Sequence, residues 1–168
     1  MDDVTAAARA AVAWLDAHNG RSPDEVSARV GKVAEELGEV WAAWIGATGQ
    51  NPRKGHTHTP ADVADELADV ALAAATASLS LPGSGRPAAG SDLVDGGADG
   101  FVGVLLRLTA AVGRTASARL DDEDTAARLA DVIGAARAAI APLGLDPDTV
   151  LAGRAATVRA RFSGPAPR

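Results

Sequence analysis

The chain of 168 residues contains no cysteine and no tyrosine, and only 3% of its residues are aromatic. The lack of cysteine excludes a disulfide framework, a thiolate zinc site and a cysteine nucleophile. The scarcity of aromatic residues argues against an all-β sandwich or barrel, whose strands are enriched in them. What remains is a chain that is 47% hydrophobic and rich in alanine. This composition predicts closely packed helices around one aliphatic core.

An excess of positive charge is also missing. The chain has 16 Lys and Arg residues against 22 Asp and Glu residues, which gives a formal net charge of −6. This sign is unfavourable for binding along the phosphates of a nucleic acid. The amino terminus is acidic where a secretory signal would be basic, and no uncharged apolar run reaches about 18 residues. We therefore predict a soluble, cytoplasmic protein that binds neither nucleic acid nor membrane.

Helical periodicity and capping signals divide the chain into six predicted helices. They cover residues 5–18, from a cap at Ser22 to about residue 48, from a cap at Thr59 to about residue 81, and then roughly 101–120, 123–141 and 147–162. Residues 82–100 are rich in Gly, Pro and Ala, which predicts a flexible connector. The prediction is a single all-α antiparallel bundle, with a core over 5–81, the closing helix at about 147–162 and an inserted helix pair at about 101–141.

A short internal repeat falls in the inserted pair. Leu67-Ala68-Asp69-Val70 recurs as residues 129–132, each time before an alanine-rich stretch. Chance is one interpretation in a chain so rich in Ala, Leu and Val. The other is that 101–141 is a degenerate second copy of the helix pair, which takes the place of a partner subunit.

Two pairs of acidic residues lie on the second and third helices. Glu36 and Glu39 are three residues apart, as are Glu66 and Asp69. Such pairs share a helix face and repel by about 0.2–0.5 kcal/mol each. Because Mg²⁺ takes oxygen ligands and keeps exchangeable waters, one interpretation is a site for Mg²⁺, or for Mn²⁺ as its substitute. The other is that these acids are solvated faces of amphipathic helices.

Other residues point to ligands with less specificity. Arg53 and Lys54, between the acidic helices, are predicted to bind phosphate. For the arginines of the closing helix, phosphate binding and surface solubility remain alternatives. Trp41 offers a stacking face for a base or fills the core, and Asn51 or Gln50 is a candidate for reading a base edge. A zinc site at the histidines of the loop lacks a third ligand.

The acidic motif resembles a known family. Lys32-x-x-x-Glu36-x-x-Glu39, followed by Glu66-x-x-Asp69, resembles the MazG-like all-α nucleoside triphosphate pyrophosphohydrolases, which carry ExxE on one helix and ExxD on the next. The stretch GATGQNPRKGHTHT, residues 46–59, is similar to a subgroup of short actinobacterial MazG-like proteins. The resemblance covers about residues 12–81 and returns weakly at LAGRAATVRARF near the end. It implies an all-α fold of the MazG type.

That resemblance also implies a site and an activity. The four acids would be both catalytic residues and Mg²⁺ ligands, and the substrate-binding candidates are Lys32, Arg53, Lys54, Asn51 and Trp41. The implied reaction is Mg²⁺-dependent hydrolysis of an NTP or dNTP to the monophosphate and pyrophosphate, including the removal of modified nucleotides. Relatives of this type usually form homodimers, and a pseudo-repeat would allow a monomer. Two alternatives stay open: a nucleotide-binding or regulatory protein without turnover, and a helical interaction module.

Overall fold

A computed structural model describes residues 1–83 and 100–162, and over these residues the protein is all-α and has no strand. The helices are α1 (Asp2–Asn19), α2 (Pro23–Thr48), α3 (Pro60–Ser80), α4 (Gly100–Leu120), α5 (Thr125–Ala138) and α6 (Pro147–Phe162), with a short 3-10 helix at Ala141–Leu143. The predicted all-α class is therefore confirmed. The inserted helix α5 ends three residues earlier than predicted, and the predicted connector falls mostly on residues 84–99, outside the described residues.

The helix starts follow from local capping. The hydroxyl of Ser22 accepts a hydrogen bond from the backbone N–H of Glu25 at 3.2 Å. Thr59 and Asp62 form a complete capping box at the start of α3, in which each side chain accepts a bond from the other's backbone. Glu25 also stands at a capping-box position in the sequence, but its carboxylate accepts from the Arg29 guanidinium at 3.1 Å. The Glu25 carboxylate is therefore part of an ion pair with Arg29 and not of a capping box.

Helix α3 is the central helix of the bundle, because it contacts α1, α2, α5 and α6. Its small aliphatic side chains are buried on several sides, with zero exposure at Leu67, Ala68, Val70, Ala71, Ala74, Ala75 and Ala77. A helix that is apolar around most of its circumference belongs in a core. Glu66 and Asp69, which are only partly exposed, are therefore held close to low-dielectric surroundings.

The inserted pair packs directly on the predicted core. Helix α4 runs antiparallel to α2: the Trp41 indole N–H donates to the Thr109 hydroxyl at 3.0 Å, and Arg119 donates to the Ser27 hydroxyl at 3.2 Å near the other end. Helix α5 contacts both α4 and the central helix α3. The insertion therefore widens the bundle along α2 and α3.

The internal repeat occupies corresponding positions of two helices that contact each other. Leu67 on α3 and Leu129 on α5 are both fully buried. Glu66 precedes Leu67, whereas Arg128 precedes Leu129, so the second copy does not repeat the acidic residue. Whether the pair replaces a partner subunit stays a prediction.

One end of the bundle is joined by a buried arginine. Arg29 is 5% exposed, and its guanidinium donates to the carboxylates of Asp16 at 2.7 Å and Glu25 at 3.1 Å. It also donates to the Ser80 hydroxyl at 3.1 Å and the Gly20 carbonyl at 2.8 Å. A buried charge is tolerated only when it is paired and hydrogen-bonded, and this one links α1, α2 and α3.

Among the described residues one helix, α4, is long and apolar enough to cross a membrane by length and composition. In that apolar window 44% of the residues are buried inside the bundle, and the helix carries Arg107 and Arg114. The core helix of a soluble protein passes the same test. One such helix is weak support for a membrane span, and the cytoplasmic location stays a prediction.

Candidate metal centre

Three of the four predicted acids converge between α2 and α3. One carboxylate oxygen from each of Glu36, Glu39 and Glu66 lies within 4.8 Å of the other two. Glu36 is buried, Glu66 is half-buried and Glu39 is exposed. Oxygens bound to one Mg²⁺ at about 2.0–2.1 Å are at most about 4.2 Å apart. The three oxygens lie within a somewhat wider limit than this, so a shared ion would draw them closer together.

An unsatisfied oxygen lies within this group. The Oε2 atom of Glu66 is buried and has no hydrogen-bond partner among the described residues. Leaving a buried polar atom unpaired costs about 1–3 kcal/mol, and native proteins rarely do so. A cation bound by the three carboxylates would satisfy this atom. Because every donor is a carboxylate oxygen, the residues fit a hard divalent cation such as Mg²⁺ or Mn²⁺ better than a soft one.

The fourth predicted ligand, Asp69, is engaged elsewhere. The Arg154 guanidinium on α6 forms a bidentate pair with the Asp69 carboxylate, in which Nε donates to Oδ1 at 2.7 Å and Nη2 donates to Oδ2. Both side chains are largely shielded, with 23% exposure for Arg154 and 13% for Asp69. Asp69 therefore lies outside the group of three. Its partner is 85 positions away in sequence, so helix spacing could not reveal the pairing.

Lys32 lies beside the cluster, where the motif predicts it. Its ammonium is 2.7 Å from Glu36 Oε1 and also pairs with Glu35. Glu35 itself is exposed. When ionised, the four predicted acids and Glu35 carry five negative charges against the two positive charges of Lys32 and Arg154. The cluster therefore keeps a net negative charge that a cation would reduce.

Burial and mutual repulsion shift the titration of the acids. Burial raises the pKa of Glu36, opposed by Lys32 and reinforced by Asp69 and Glu39. Burial likewise raises the pKa of Glu66 to about 7, with further contributions from Asp69 and Glu39. Both shifts mean that the metal-free fold holds charges it does not fully compensate. Such perturbed carboxylates are typical of functional sites.

The loop between α2 and α3 folds back on the last turn of α2. The backbone N–H of Thr57 donates to the Gly46 carbonyl at 3.0 Å, and His56 Nδ1 bonds the Ala47 carbonyl at 2.8 Å. A side chain at Gly46 would collide with Thr57 and His58, so glycine is needed for this close approach. His56 thus anchors the loop to α2.

The predicted phosphate-binding residues of this loop lie away from the acids. Arg53 and Lys54 are exposed, and within the described residues neither forms an ion pair. Asn51 accepts a hydrogen bond from the Arg53 backbone N–H at 3.2 Å, which shapes the turn. Gly46, where the loop begins to pack, is seven residues beyond Glu39, or about 10 Å along the helix. Arg53 and Lys54 therefore lie beyond the end of α2 and form no ion pair with the acids within the described residues.

The two tryptophans of α2 face the inserted pair. Trp41 is half-buried and its indole N–H is bonded to Thr109. The ring of Trp44 packs on Phe101 with centroids 4.5 Å apart. Both pack against the core, and a stacking role for Trp41 stays a prediction.

Fold and site together define a class: an all-α bundle in which three carboxylates from two antiparallel helices could hold a metal ion. No protein-family model matches the chain, and neither the curated proteins nor the solved structures give a match to it. The likeness to MazG-like enzymes thus rests on the sequence patterns alone. Sequence reasoning missed the buried Arg29 network and did not single out Arg154 from the other arginines of the closing helix.

Proposed function

We propose that this chain is a Mg²⁺-dependent nucleoside triphosphate pyrophosphohydrolase of the MazG-like type. The observation that carries the proposal is the convergence of Glu36, Glu39 and Glu66 around a buried oxygen that lacks a partner. The residues fit a hard cation, and pyrophosphohydrolysis of a polyphosphate is chemistry that such a cation supports. The order of the motif along the chain, ExxE before ExxD, supports the choice of family.

The chain's own residues have distinct tasks in this proposal. When bound, the cation supplies charge neutralisation of the polyphosphate and a polarised water. Glu36, Glu39 and Glu66 hold it between the two rigid helices. Lys32, already beside Glu36, provides a mobile positive charge for a phosphate oxygen. Arg154 restrains Asp69 on the other side, so Asp69 joins the cation only if that ion pair opens.

Turnover is tested by pyrophosphate release from standard and modified triphosphates, with Mg²⁺, with Mn²⁺ and with chelator. We expect release only with a divalent cation, and we expect Glu36→Gln to abolish it while circular dichroism stays unchanged. Glu35→Gln is the matched control, because Glu35 is the exposed neighbour that also pairs with Lys32. Equal loss in both variants, or release in chelator, would contradict the proposal.

A second candidate function has a specific observation in its favour. The bidentate pair between Arg154 and Asp69 leaves three carboxylates for the cation where the motif offers four. This arrangement favours a protein that binds a nucleotide and a cation without turnover. Nucleotide binding without pyrophosphate release, both in the wild-type chain and in Arg154→Gln, would select this candidate.

A further inference from the structure

A deep pocket lies beside the acidic cluster, between α1, α2, α3 and α6. Its volume is about 410 Å³, within the range of about 300–1,000 Å³ typical of small-molecule sites. Most of the exposed wall is apolar, with Leu15, Leu72, Ala73, Val158 and Phe162 among the side chains that form it, and polar side chains lie at its ends. Such a lining favours an apolar, flat group over a charged one.

The pocket is continuous with the candidate metal centre. Glu36 and Asp69 form part of its wall, so one end of the pocket opens at the acids. Ala73 follows Asp69 by four residues on α3, about 6 Å along the helix. A ligand with its apolar part against Ala73 would place its next few atoms beside the carboxylates.

Positive charge also lines the pocket. The Lys32 ammonium lies beside the acids, 2.7 Å from Glu36 Oε1. Arg161 lies seven residues beyond Arg154 on α6, about 10 Å along the helix from the Asp69 partner. Apolar walls with a cation and carboxylates at one end match a molecule that has a flat ring and a phosphate group.

We propose that this pocket receives the nucleoside part of the triphosphate, with the base held between α1 and α6 and the phosphates directed to the acids. The inference rests on the proposed function and adds the location of the substrate. The apolar side chains of the wall would hold the base by its shape.

The test is calorimetric titration of the protein with AMP and CMP in the presence of Mg²⁺. Ala73→Leu inserts a larger side chain into the pocket, at a half-buried position that holds no cation. We expect it to weaken both nucleotides by at least about tenfold and to leave Mn²⁺ binding unchanged. Ala110→Leu, the same change at an exposed position of α4, is the control and should bind as the wild type does.

A second variant tests the inference independently if Ala73→Leu fails to fold. Lys32→Gln removes the positive charge beside the acids, so it should weaken AMP while leaving adenosine binding unchanged. Wild-type affinity for AMP in Ala73→Leu, or no AMP binding by the wild-type chain, would overturn the inference. If Ala73→Leu abolishes monophosphate binding but no form of the protein releases pyrophosphate, the pocket assignment stands and the hydrolase proposal is refuted. Turnover by Ala73→Leu with an unchanged KM would refute the pocket alone.

Discussion

The unpartnered carboxylate of Glu66 gives the most detailed prediction. Replacing it by glutamine keeps the shape and removes a charge that is half-buried near Asp69 and Glu39. Repulsion from Asp69, three residues along the same helix, contributes about 0.2–0.5 kcal/mol, and repulsion from Glu39 with the cost of burial adds a similar amount or more. We expect Glu66→Gln to stabilise the metal-free protein by about 1 kcal/mol, or about 2–4 °C in Tm for a chain of this size.

The pH dependence of this effect follows from the pKa. Burial first, and then repulsion from Asp69 and Glu39, raises the pKa of Glu66 from its usual 4.5 to about 7 in the folded state. Between these values the folded protein binds the proton more tightly than the unfolded chain does, so stability falls as pH rises from about 4.5 through about 7. Glu66→Gln lacks this loss. Its advantage should therefore be small at pH 5 and largest at pH 8.

The assay is thermal unfolding in chelator at pH 5 and pH 8, followed by circular dichroism. Asp65→Asn is the control, because Asp65 is the exposed preceding residue on α3 and its loss should change stability by less than about 0.5 kcal/mol. A lower Tm for Glu66→Gln at pH 8, or an increase no larger than that of Asp65→Asn, would refute the reasoning that this charge is uncompensated.

Two further predictions concern the arginines. Arg29→Met leaves the carboxylates of Asp16 and Glu25 without their buried partner, and we expect a loss of about 3 kcal/mol in urea unfolding; a change under about 1 kcal/mol would contradict the role given to this network. Arg154→Gln removes a positive charge from beside Asp69 and the nearby acids. Mn²⁺ affinity should therefore rise, while the stability of the metal-free protein should fall. Weaker Mn²⁺ binding would show that Arg154 supports the site instead of competing with the cation.

The sequence predicts well what is encoded locally. Helix starts at Ser22 and Thr59 are set by side chains within three residues of the cap, and the convergence of Glu36 and Glu39 on one face follows from helix geometry. The partner of Asp69 could not be predicted, because Arg154 reaches it only through the packing of α6 on the bundle. The same holds for Trp41, whose partner Thr109 belongs to the inserted helix.

The pocket shows the same limit on a larger scale. Its walls come from helices at both ends of the chain, and neither Leu15 on α1 nor Phe162 on α6 carries a signal that it faces a ligand. Apolar residues at helical spacing are read first as core. Their partial exposure emerges only when four helices are placed together and fail to fill the space between them.

The most direct test of the metal centre is a Mn²⁺ titration of the chelator-treated protein, with free Mn²⁺ measured by electron paramagnetic resonance. We predict saturable binding by the wild-type chain and by Asp65→Asn, and affinity at least about tenfold weaker in the double variant Glu36→Gln/Glu66→Gln, since each lost ligand removes both an oxygen donor and a charge. A wild-type protein that leaves the free Mn²⁺ signal unchanged would contradict the assignment of these carboxylates to a cation.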